Sequence, residues 1–539
     1  MISKKYLIPI LLILPVLLFI AAGLLKYAQG PYYLNFYDPS YVYLINGLNL
    51  AQLNGYGVGH FDHPGTTVQV ISAVVIKFYY AVSPADTDII SDVFSRPEEY
   101  LLKINVFLNA VNCVLLFLSG YFLYFRSKNI YLTLLIMLSP FTSTELFYGM
   151  IIVTPDNLLI SASLLIIGMI FYCLYKKDQE YNIKEIIVFA AIIAFGLATK
   201  LNFIPMILIP MIILNGIKKK LLFLTFTLIF FVIFILPGIS NIEYFLKWVE
   251  GLILREGKHG KGAANIINAS SFSKNLFTIF KTDILFTISY FTLLITYAIV
   301  LYKNYVTKNI RSVFRTPVLY RLLAGILTAM TLQLIIVSKH YAQYYMIPSF
   351  MLTITGLYIS YLVIFEISGD KFRTARTKII YIFSSIVLVI IISYQIISSY
   401  YEGTEQKKDA FTIMNFIEEK YPASIIIPSF GSANTEAPLA FASQYAGSKK
   451  EDYKNLLNEQ LRSDVFFNQW INEFYILSEE GRSADYFSGN KKIYLQLNKY
   501  GSIEDFILKL KSLTGKNNIS YNVIFTNEKK ESVYEIFLR

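Results

Sequence analysis

The sequence is poor in charged residues and in cysteine. Only 16% of its 539 residues are Asp, Glu, Lys or Arg, whereas 55% are hydrophobic. Soluble domains carry roughly 25% charged residues, so a chain built mainly of soluble domains is excluded. Cys113 and Cys173 are the two cysteines, and both lie in apolar runs, which excludes a disulfide framework. The hydrophobic runs recur along most of the chain and indicate a membrane protein.

The positive charge lies in short loops between the apolar runs. A net charge of +11 would suit a nucleic-acid partner, but loop lysines and arginines are the usual signal of membrane topology. Binding of anionic lipid is a lesser role for the same residues. We therefore expect the lipid bilayer as a partner and no nucleic acid.

The apolar runs predict an α-helical polytopic membrane protein with about eleven spans. Lys4 and Lys5 precede the first run, which continues to about Leu25 without a clear cleavage site, so we expect a retained helix and a cytoplasmic N-terminus. Each later basic cluster then falls in the cytoplasm, and the expected location is the plasma or inner membrane. The further spans are expected near 100–125, 130–148, 156–175, 184–199, 202–215, 221–238, 283–302, 319–337, 343–365 and 379–400.

Two apolar runs need a different interpretation. Segment 64–82 is apolar enough to span, but a crossing there would place every later basic cluster outside. We therefore predict an interfacial or re-entrant helix that begins at Pro64, within a first outer loop of residues 27–99. Segment 183–214 is long and has basic residues on both flanks, which predicts two short spans that meet at Lys200. Interrupted spans often border binding sites.

The C-terminal part of the chain, residues 402–539, is polar and contains no apolar span. The order of the spans places it outside the cytoplasm, after a membrane domain of residues 1–400. Its pattern predicts a small extracytoplasmic α/β domain. Helices are expected over 409–421 and 503–513, strands over 424–427 and 491–497, and a hairpin around 527–529.

Polar residues gather in six short islands between the spans, and the predicted topology places all six on the outer face. Because the bilayer core tolerates polar groups poorly, their collection at one face predicts a binding or catalytic site there. The candidate site residues are Asp38, His60, Asp62, His63, Asp156, Lys200, Arg255, Lys258, His259, Lys339, His340 and Tyr345.

Three islands contain carboxylates, and each has an alternative interpretation. Asp38 suits a general base toward an alcohol or amine, although a carboxylate before a proline also caps a helix. His60, Asp62 and His63 suit contact with phosphate or sugar. A divalent metal and a structural loop are the alternatives there, and the spacing is not a standard zinc pattern. Asp156, which opens a span, suits either a helix cap or a polar contact to substrate.

The other three islands are basic. Lys200 suits a fixed cation for a lipid-borne phosphate, and the alternative is a lysine that snorkels toward water. Stretch 255–262 interleaves positive charge with glycine, which suits close wrapping of a phosphate, and the alternative is a flexible solvated loop. It departs from the Walker pattern, so no nucleotide is expected. Stretch 339–345 combines basic and aromatic residues and also fits a membrane interface belt.

These residues give the membrane domain a resemblance to the GT-C superfamily of membrane glycosyltransferases. The nearest members are protein O-mannosyltransferases and the transferase that adds aminoarabinose to lipid A. The early acid of that family's first outer loop matches Asp38. Its polar-proline motif matches His63-Pro64-Gly65, although the acidic-lysine-proline sequence that is usual in the family is absent. A second acid that opens a span matches Asp156, a lysine in a short hairpin matches Lys200, and a basic-aromatic turn matches 339–345.

The resemblance implies an inverting glycosyltransferase that moves a hexosyl or pentosyl group from a polyprenyl-phosphate-linked donor to a lipid, glycan or protein acceptor. Asp38 would deprotonate the acceptor, and cations would stabilise the leaving phosphate. No cofactor is certain, and a divalent metal is left open. A lipid-linked glycan polymerase or ligase, and a membrane transporter or flippase, are the alternatives. The cations that we expect are Lys200, Arg255, Lys258, His259, Lys339 and His340.

Overall fold

The structure is a computed structural model of the chain. It describes residues 4–34, 40–53, 57–83, 86–257, 262–265, 268–306, 317–368, 375–421, 424–478, 487 and 493–538, and gives the backbone alone at 4, 304, 375–382 and 425. Three of the predicted site residues, Asp38, Lys258 and His259, lie outside the described residues.

The membrane domain is built from helices that are mostly apolar around their whole circumference, as expected for segments with lipid or other helices on every side. They follow one another with short connections over most of the chain. In chain order they are α1 (Lys4–Gln29), α2 (Ser40–Ala51), α3 (Thr66–Val82), α4 (Ile89–Ser95), α5 (Pro97–Ser127), α6 (Ile130–Met137), α7 (Thr144–Ile151), α8 (Pro155–Tyr175), α9 (Ile183–Thr199), α10 (Leu208–Ile213), α11 (Ile217–Ile235), α12 (Ile242–Leu254), α13 (Ala269–Thr282), α14 (Ile284–Val306), α15 (Val318–Lys339), α16 (Ile347–Met351), α17 (Thr353–Ser368) and α18 (Ala375–Lys420).

The predicted class, a multi-pass helical membrane protein, is confirmed, whereas the count of eleven spans is not. Within the described ranges, seven helices are long and apolar enough to cross a membrane, and they include α1, α5, α8 and α18. Two bent pairs, one at 66° and one at 41°, raise the number to nine if each pair is a single span. The predicted spans at α9 and α10 are short: α9 has 17 residues and α10 has 6.

The chain leaves the helical path at Lys200, where the sequence predicts the meeting of two short spans. α9 ends at Thr199, and Lys200 adopts an extended conformation with φ −160°. A 3₁₀ segment, Leu201–Ile207, then leads into α10 and contains Pro205, which cannot donate a backbone hydrogen bond. A side chain at Gly196 would overlap the Phe203 ring, so the two short segments pack closely.

The predicted interfacial helix corresponds to α3. It has 17 residues and packs along α2. Its placement at a membrane interface, and the side of the membrane on which each terminus lies, stay predictions.

A network of buried amides joins α5 to α8. Asn105 and Asn109 each donate a hydrogen bond of 2.9 Å to the carbonyl oxygen of Met150. Asn157 donates to Asn109 Oδ1 at 3.1 Å. Buried polar groups are stable in such a place only when they are paired. The network therefore fixes the start of α8, and with it the position of Asp156, relative to α5.

The C-terminal part is a small α/β domain, as predicted. A four-stranded sheet has the order β1-β4-β6-β5, in which β1 is parallel to β4 and the other neighbours are antiparallel. The predicted hairpin is the β5–β6 pair. The elements are β1 (Ile425–Pro428), α19 (Ala437–Ser443), α20 (Lys450–Gln460), β2 (Val465–Asn468), β3 (Glu473–Ile476), β4 (Ile493–Leu497), α21 (Ile503–Thr514), β5 (Ile519–Thr526) and β6 (Ser532–Leu538).

Helix α18 connects the two parts of the chain without a break. Its 46 residues continue through residues 400–402, where the sequence analysis divides the chain into two domains. The helix predicted over 409–421 is therefore the end of α18 and not a separate element. Asp409 then anchors the β5–β6 turn, because its carboxylate accepts hydrogen bonds from the amides of Glu528 and Lys529 at 2.9 and 3.1 Å.

The C-terminal domain also docks on α2. The side chain of Asn49 donates to the carbonyl of Ala446 at 2.6 Å, and that of Asn46 donates to the carbonyl of Tyr445 at 3.1 Å. The Tyr453 hydroxyl donates to Asn49 Oδ1 at 2.6 Å. These bonds bring the turn that carries Tyr445 to the loop that contains His60, Asp62 and His63.

Candidate active site

Asp38 itself is not described, but both flanks of its segment are held in place. Glu98, in the first turn of α5, accepts hydrogen bonds from the amides of Tyr32 and Tyr33 at 2.7 and 3.2 Å. It also accepts one from the Tyr41 hydroxyl at 2.6 Å. On the far side, Ser40 Oγ accepts from the amide of Val153, shortly before Asp156, at 3.1 Å. The described residues on the two sides of segment 35–39 therefore lie beside α5 and beside the beginning of α8.

The loop that contains His60, Asp62 and His63 lies against the turn at Lys200. The carbonyl of His63 accepts from the amide of Leu201 at 2.8 Å, and the amide of Gly65 donates to Ala198 at 3.1 Å. The peptide between His63 and Pro64 is cis, and Gly65 has φ +73°. A Cβ at Gly65 would lie 3.0 Å from the Tyr43 ring. Positive φ and close packing together explain why glycine follows the His-Pro pair.

Aromatic rings surround His60 and His63. The His60 ring makes edge contacts with Tyr43 and Tyr445, whose centroids lie 5.4 and 5.7 Å away. The His63 ring makes the same kind of contact with Trp248 of α12 at 5.6 Å. Trp248 and Tyr445 come from distant parts of the chain, so the sequence pattern around the histidines gave no sign of them.

Asp62 adds a carboxylate to the same loop. Its Oδ1 lies 3.2 Å from His60 Nδ1, a distance within ion-pair range, and that nitrogen has no hydrogen bond among the described residues. Burial, together with the negative charge of Asp62, raises the pKa of Tyr445 to about 12. The Tyr445 phenol therefore stays neutral at physiological pH and keeps its proton as a hydrogen-bond donor.

Asp156 and Lys200 form a buried ion pair. Lys200 Nζ lies 2.9 and 2.8 Å from the two carboxylate oxygens of Asp156, and each side chain is 2% exposed. The ammonium group also lies over the rings of Tyr344 and Tyr345, at 4.6 and 4.9 Å from their centroids. The structure thus joins two predicted site residues directly and gives them an aromatic wall, of which Tyr345 was predicted and Tyr344 was not.

The predicted cations Lys339 and His340 contact the end of α12. Lys339 Nζ donates to the carbonyls of Leu252 and Ile253 at 2.7 and 2.5 Å. The two ring nitrogens of His340 lie 2.6 Å from the carbonyl oxygens of Leu252 and Gly257. A doubly protonated ring can donate to both carbonyls, whereas a neutral ring has one donor. These contacts hold the chain that leads into stretch 255–262.

The remaining cations of that stretch are placed differently. Arg255 is exposed, and its backbone bridges to Ala264. Lys258 and His259 fall outside the described residues. In the described part of the chain, no group of three or more His, Cys, Asp or Glu side chains is arranged to hold a metal ion.

Four of the islands are therefore connected by direct contacts. Hydrogen bonds join Ser40 to Val153 and His63 to Leu201, and the ion pair joins Asp156 to Lys200. The side-chain amide of Asn202 donates to the carbonyl of Tyr345 at 2.9 Å and connects the Lys200 turn to stretch 339–345. The residues that sequence reasoning missed are the supporting ones, Glu98, Trp248, Tyr344 and Tyr445. Tyr344 lies in the island 339–345, and the other three lie outside the six islands.

Comparisons with known proteins give solved structures that match this chain, and one of them is ArnT. No protein-family model matches the chain, and no curated protein matches it. The chain is similar to the crystal structure of ArnT from Cupriavidus metallidurans bound to undecaprenyl phosphate, with 9% sequence identity, coverage of 96% of this chain and 97% of that chain, and a TM-score of 0.47. At that TM-score the similarity by itself supports no statement on activity.

Proposed function

We propose that the protein is a membrane glycosyltransferase that moves a sugar from a polyprenyl-phosphate-linked donor to an acceptor at the outer face of the membrane. The observation that supports this function is the direct contact between the segments next to Asp38, the His60–His63 loop, Asp156 and Lys200. A carboxylate base, polar groups for a sugar and a fixed cation are the parts that such a transfer needs.

Asp38 is the general base in this proposal. It takes the proton of the acceptor hydroxyl or amine while the acceptor atom attacks the anomeric carbon of the sugar. The bond between that carbon and the phosphate oxygen breaks, and the oxygen leaves with the electron pair on the polyprenyl phosphate. Attack from the face opposite the leaving group inverts the anomeric centre. The anchoring of Tyr32, Tyr33 and Ser40, the described residues on either side of the segment, supports this proposal.

Lys200 is the fixed cation nearest to the start of α8. Two oxygens of Asp156 and two tyrosine rings orient its ammonium group, and preorganised charge is the form in which a cation stabilises a leaving group best. Asp156 neutralises most of that charge, so further cations are required to balance a phosphate. We assign this role to Arg255, Lys258 and His259.

Lys339 and His340 take a positioning role instead of the phosphate contact expected from the sequence. Their donors are directed at carbonyl oxygens at the end of α12 and at Gly257. Cations at a helix C-terminus are favourable because they meet the negative end of the helix dipole. They hold the described start of the basic stretch at Gly257.

The test is sugar transfer in membranes from a panel of radiolabelled polyprenyl-phosphate sugars. Wild type, Asp38→Asn and the control Asp86→Asn, an exposed acid of the same outer loop, are compared at equal abundance. We expect transfer by wild type and Asp86→Asn and a loss of at least roughly a hundredfold for Asp38→Asn. Equal transfer by all three removes Asp38 from the chemistry. No transfer from any donor favours the transporter or flippase, and products that lengthen with time favour the polymerase.

A further inference from the structure

A row of aromatic rings, Tyr445, Phe441 and Trp470, joins the His60–His63 loop to the surface of the C-terminal domain. The Tyr445 ring meets His60 at one end of the row and lies 5.1 Å from the Phe441 ring of α19, centroid to centroid. Phe441 in turn contacts Trp470 at 5.4 Å, with an interplanar angle of 68°. Phe441 is 7% exposed, whereas Trp470 is 51% exposed. The row therefore begins at the candidate active site and ends on an indole that solvent reaches.

The active-site end of the row contains hydroxyl and carboxylate groups from three parts of the chain. Asp62 comes from the first outer loop, Tyr244 from α12 and Tyr445 from the C-terminal domain. The charge of Asp62 acts on both phenols, but the described residues show no hydrogen bond between its carboxylate and either phenol. A ligand hydroxyl can donate to a carboxylate and accept from a phenol at the same time. Sugars have such hydroxyls on neighbouring carbons, so a sugar ring suits this end of the row.

The position of Tyr445 is fixed by contacts between the C-terminal domain and α2. Asn46 and Asn49 are fully buried, and each donates to a carbonyl of the turn that contains Tyr445. The same two side chains form hydrogen bonds of 2.7 and 2.8 Å with the backbone of residues 57–59. One pair of amides therefore holds the Tyr445 turn and the first outer loop together. A paired buried network of this kind makes the geometry of a site rigid.

The outer end of the row is neutral and is also held in place. Trp470 lies in the turn between β2 and β3, residues 468–472, which contains no charged residue. Gln469 Nε2 donates to Asn498 Oδ1, and Asn498 Nδ2 donates to the carbonyl of Gly431, each at 2.8 Å. These bonds tie the turn to the end of β4. An exposed indole among uncharged amides suits a neutral ligand that has both an apolar face and hydroxyl groups, as a saccharide does.

We propose that the acceptor of the transfer reaction is a glycan chain that binds along this row. The terminal sugar lies at Asp62, Tyr244 and Tyr445. A preceding sugar stacks on the indole of Trp470. Tyr445 is then a substrate-binding residue that the C-terminal domain supplies. This assignment of an acceptor rests on the proposed function.

The direction of the row favours the acceptor over the donor. A donor on a polyprenyl chain is held at the bilayer, and its proposed cation, Lys200, lies in the turn between α9 and α10. The row starts at the loop that contacts this turn. It continues into the C-terminal domain, which is polar and contains no apolar span. A chain of sugars is soluble in water and suits such a surface, whereas a lipid carrier does not.

The test measures saccharide binding by the full-length protein in detergent, without any sugar donor. Unlabelled chains of one to six sugars compete with an end-labelled hexasaccharide in fluorescence polarisation, in separate series of glucose, mannose, galactose and N-acetylglucosamine. We expect at least one series to bind about tenfold more tightly as a trisaccharide than as a monosaccharide, the scale of one aromatic contact. Trp470→Ala should remove this gain and leave the affinity for the monosaccharide unchanged.

Variants at the active-site end should lower the affinity for every chain length. Asp62→Asn should weaken binding by roughly tenfold or more, because a hydrogen bond to a charged group is lost. Tyr445→Phe should weaken it by about fivefold, the scale of a neutral hydrogen bond, and it keeps the ring contacts with His60 and Phe441.

Two variants control for the fold and for the apolar surface of the turn. Ile471→Ala changes the neighbour of Trp470, which is 62% exposed, and should bind saccharide like wild type. Trp470→Phe keeps an aromatic ring at the outer end and should retain most of the gain with chain length.

The proposal is overturned if no series binds more tightly as the chain lengthens, or if Trp470→Ala retains the length dependence. Equal affinity of wild type and Tyr445→Phe for the series that binds would also overturn it. Failure of the proposed function is distinguishable, because saccharide binding that depends on Trp470 and Tyr445 would then persist while no donor of the sugar panel supports transfer.

Contact of the β2–β3 turn with the membrane is the competing explanation for an exposed indole. The chain has two tryptophans, so Trp470 is the sole emitter of indole fluorescence in Trp248→Phe. We expect brominated phosphatidylcholine in nanodiscs to leave this emission unchanged. Strong quenching would place the turn in the bilayer and overturn the proposal.

Discussion

Lys200 and Lys26 are both buried lysines at helix ends, but their ammonium groups make different contacts. Both carboxylate oxygens of Asp156 lie within 2.9 Å of Lys200 Nζ. Lys26 contacts a carbonyl oxygen and a ring face. A full counter-ion makes the first charge part of the fold. Lys26 has no direct ion pair in the described part of the chain, and the charge of Glu98 acts on it only from a distance, so the two lysines depend on different kinds of contact.

The same comparison extends to a carboxyl group in the C-terminal domain. Glu531 is buried, and its Oε1 accepts from the amide of Ala433 and the side chain of Gln496, each at 2.8 Å. Burial raises its pKa to about 7. Dipoles therefore do not stabilise a buried charge as well as a counter-ion does, and breaking each kind of contact should have a different consequence.

The largest effect is expected where the counter-ion is removed. Lys200→Met leaves the Asp156 carboxylate buried and unpaired, which should cost about 3 to 5 kcal/mol of stability. The double variant with Asp156→Asn should regain most of that stability while transfer stays lost. Thermal unfolding of purified protein measures the stability, and the transfer assay measures the activity. A single variant as stable as wild type would show that the pair does not support the fold.

Glu531 should make stability depend on pH. Its pKa in the folded protein is about 7, above the ordinary value of 4.5 for a glutamate, so the stabilisation is fully present below about pH 4.5 and is lost as the pH rises through 7. The loss amounts to roughly 3 kcal/mol. Glu531→Gln should abolish the difference in unfolding temperature between pH 5 and pH 8 that wild type shows. If Glu531→Gln shows the same difference in unfolding temperature as wild type, another titratable group causes that difference.

A smaller effect is expected at the loop that meets the Lys200 turn. Gly65→Ala forces an alanine to φ +73°, which costs about 1 to 2 kcal/mol, and crowds the Tyr43 ring. We expect a measurable fall in transfer because His63 contacts Leu201 through this loop. Gly168→Ala is the matched control, since a Cβ there would have nothing within 4 Å. Equal transfer by the two variants would argue against a role for this loop geometry.

The smallest change in stability is expected at Lys26. Lys26→Met loses one hydrogen bond to the carbonyl of Gly30, which should cost about 1 kcal/mol or less. The loss of stability should therefore be smaller than that of Lys200→Met, where a direct counter-ion loses its partner. A stability loss as large as that of Lys200→Met, measured by the same unfolding assay, would make Lys26 a structural cation as well.

Local patterns in the sequence predicted several features of the structure. The basic flanks of segment 183–214 predicted the break at Lys200, and local residue patterns predicted the strands β1 and β4 and the β5–β6 hairpin. The partner of Lys200 was not predictable, because Asp156 is 44 residues away in the chain. The contacts of His340 were not predictable either, since the end of α12 reaches it only through helix packing.

The sequence by itself determined the membrane class, the polar islands and the places where the chain breaks, because hydrophobicity, proline and charge act over a few neighbouring residues. Tertiary structure alone decided which charged side chains contact a counter-ion directly. Lys200 and Lys26 are the same residue type in similar apolar surroundings. Their roles diverge because the packing of α8 brings a carboxylate to one, whereas the packing of α1, α5 and α18 brings carbonyls and rings to the other.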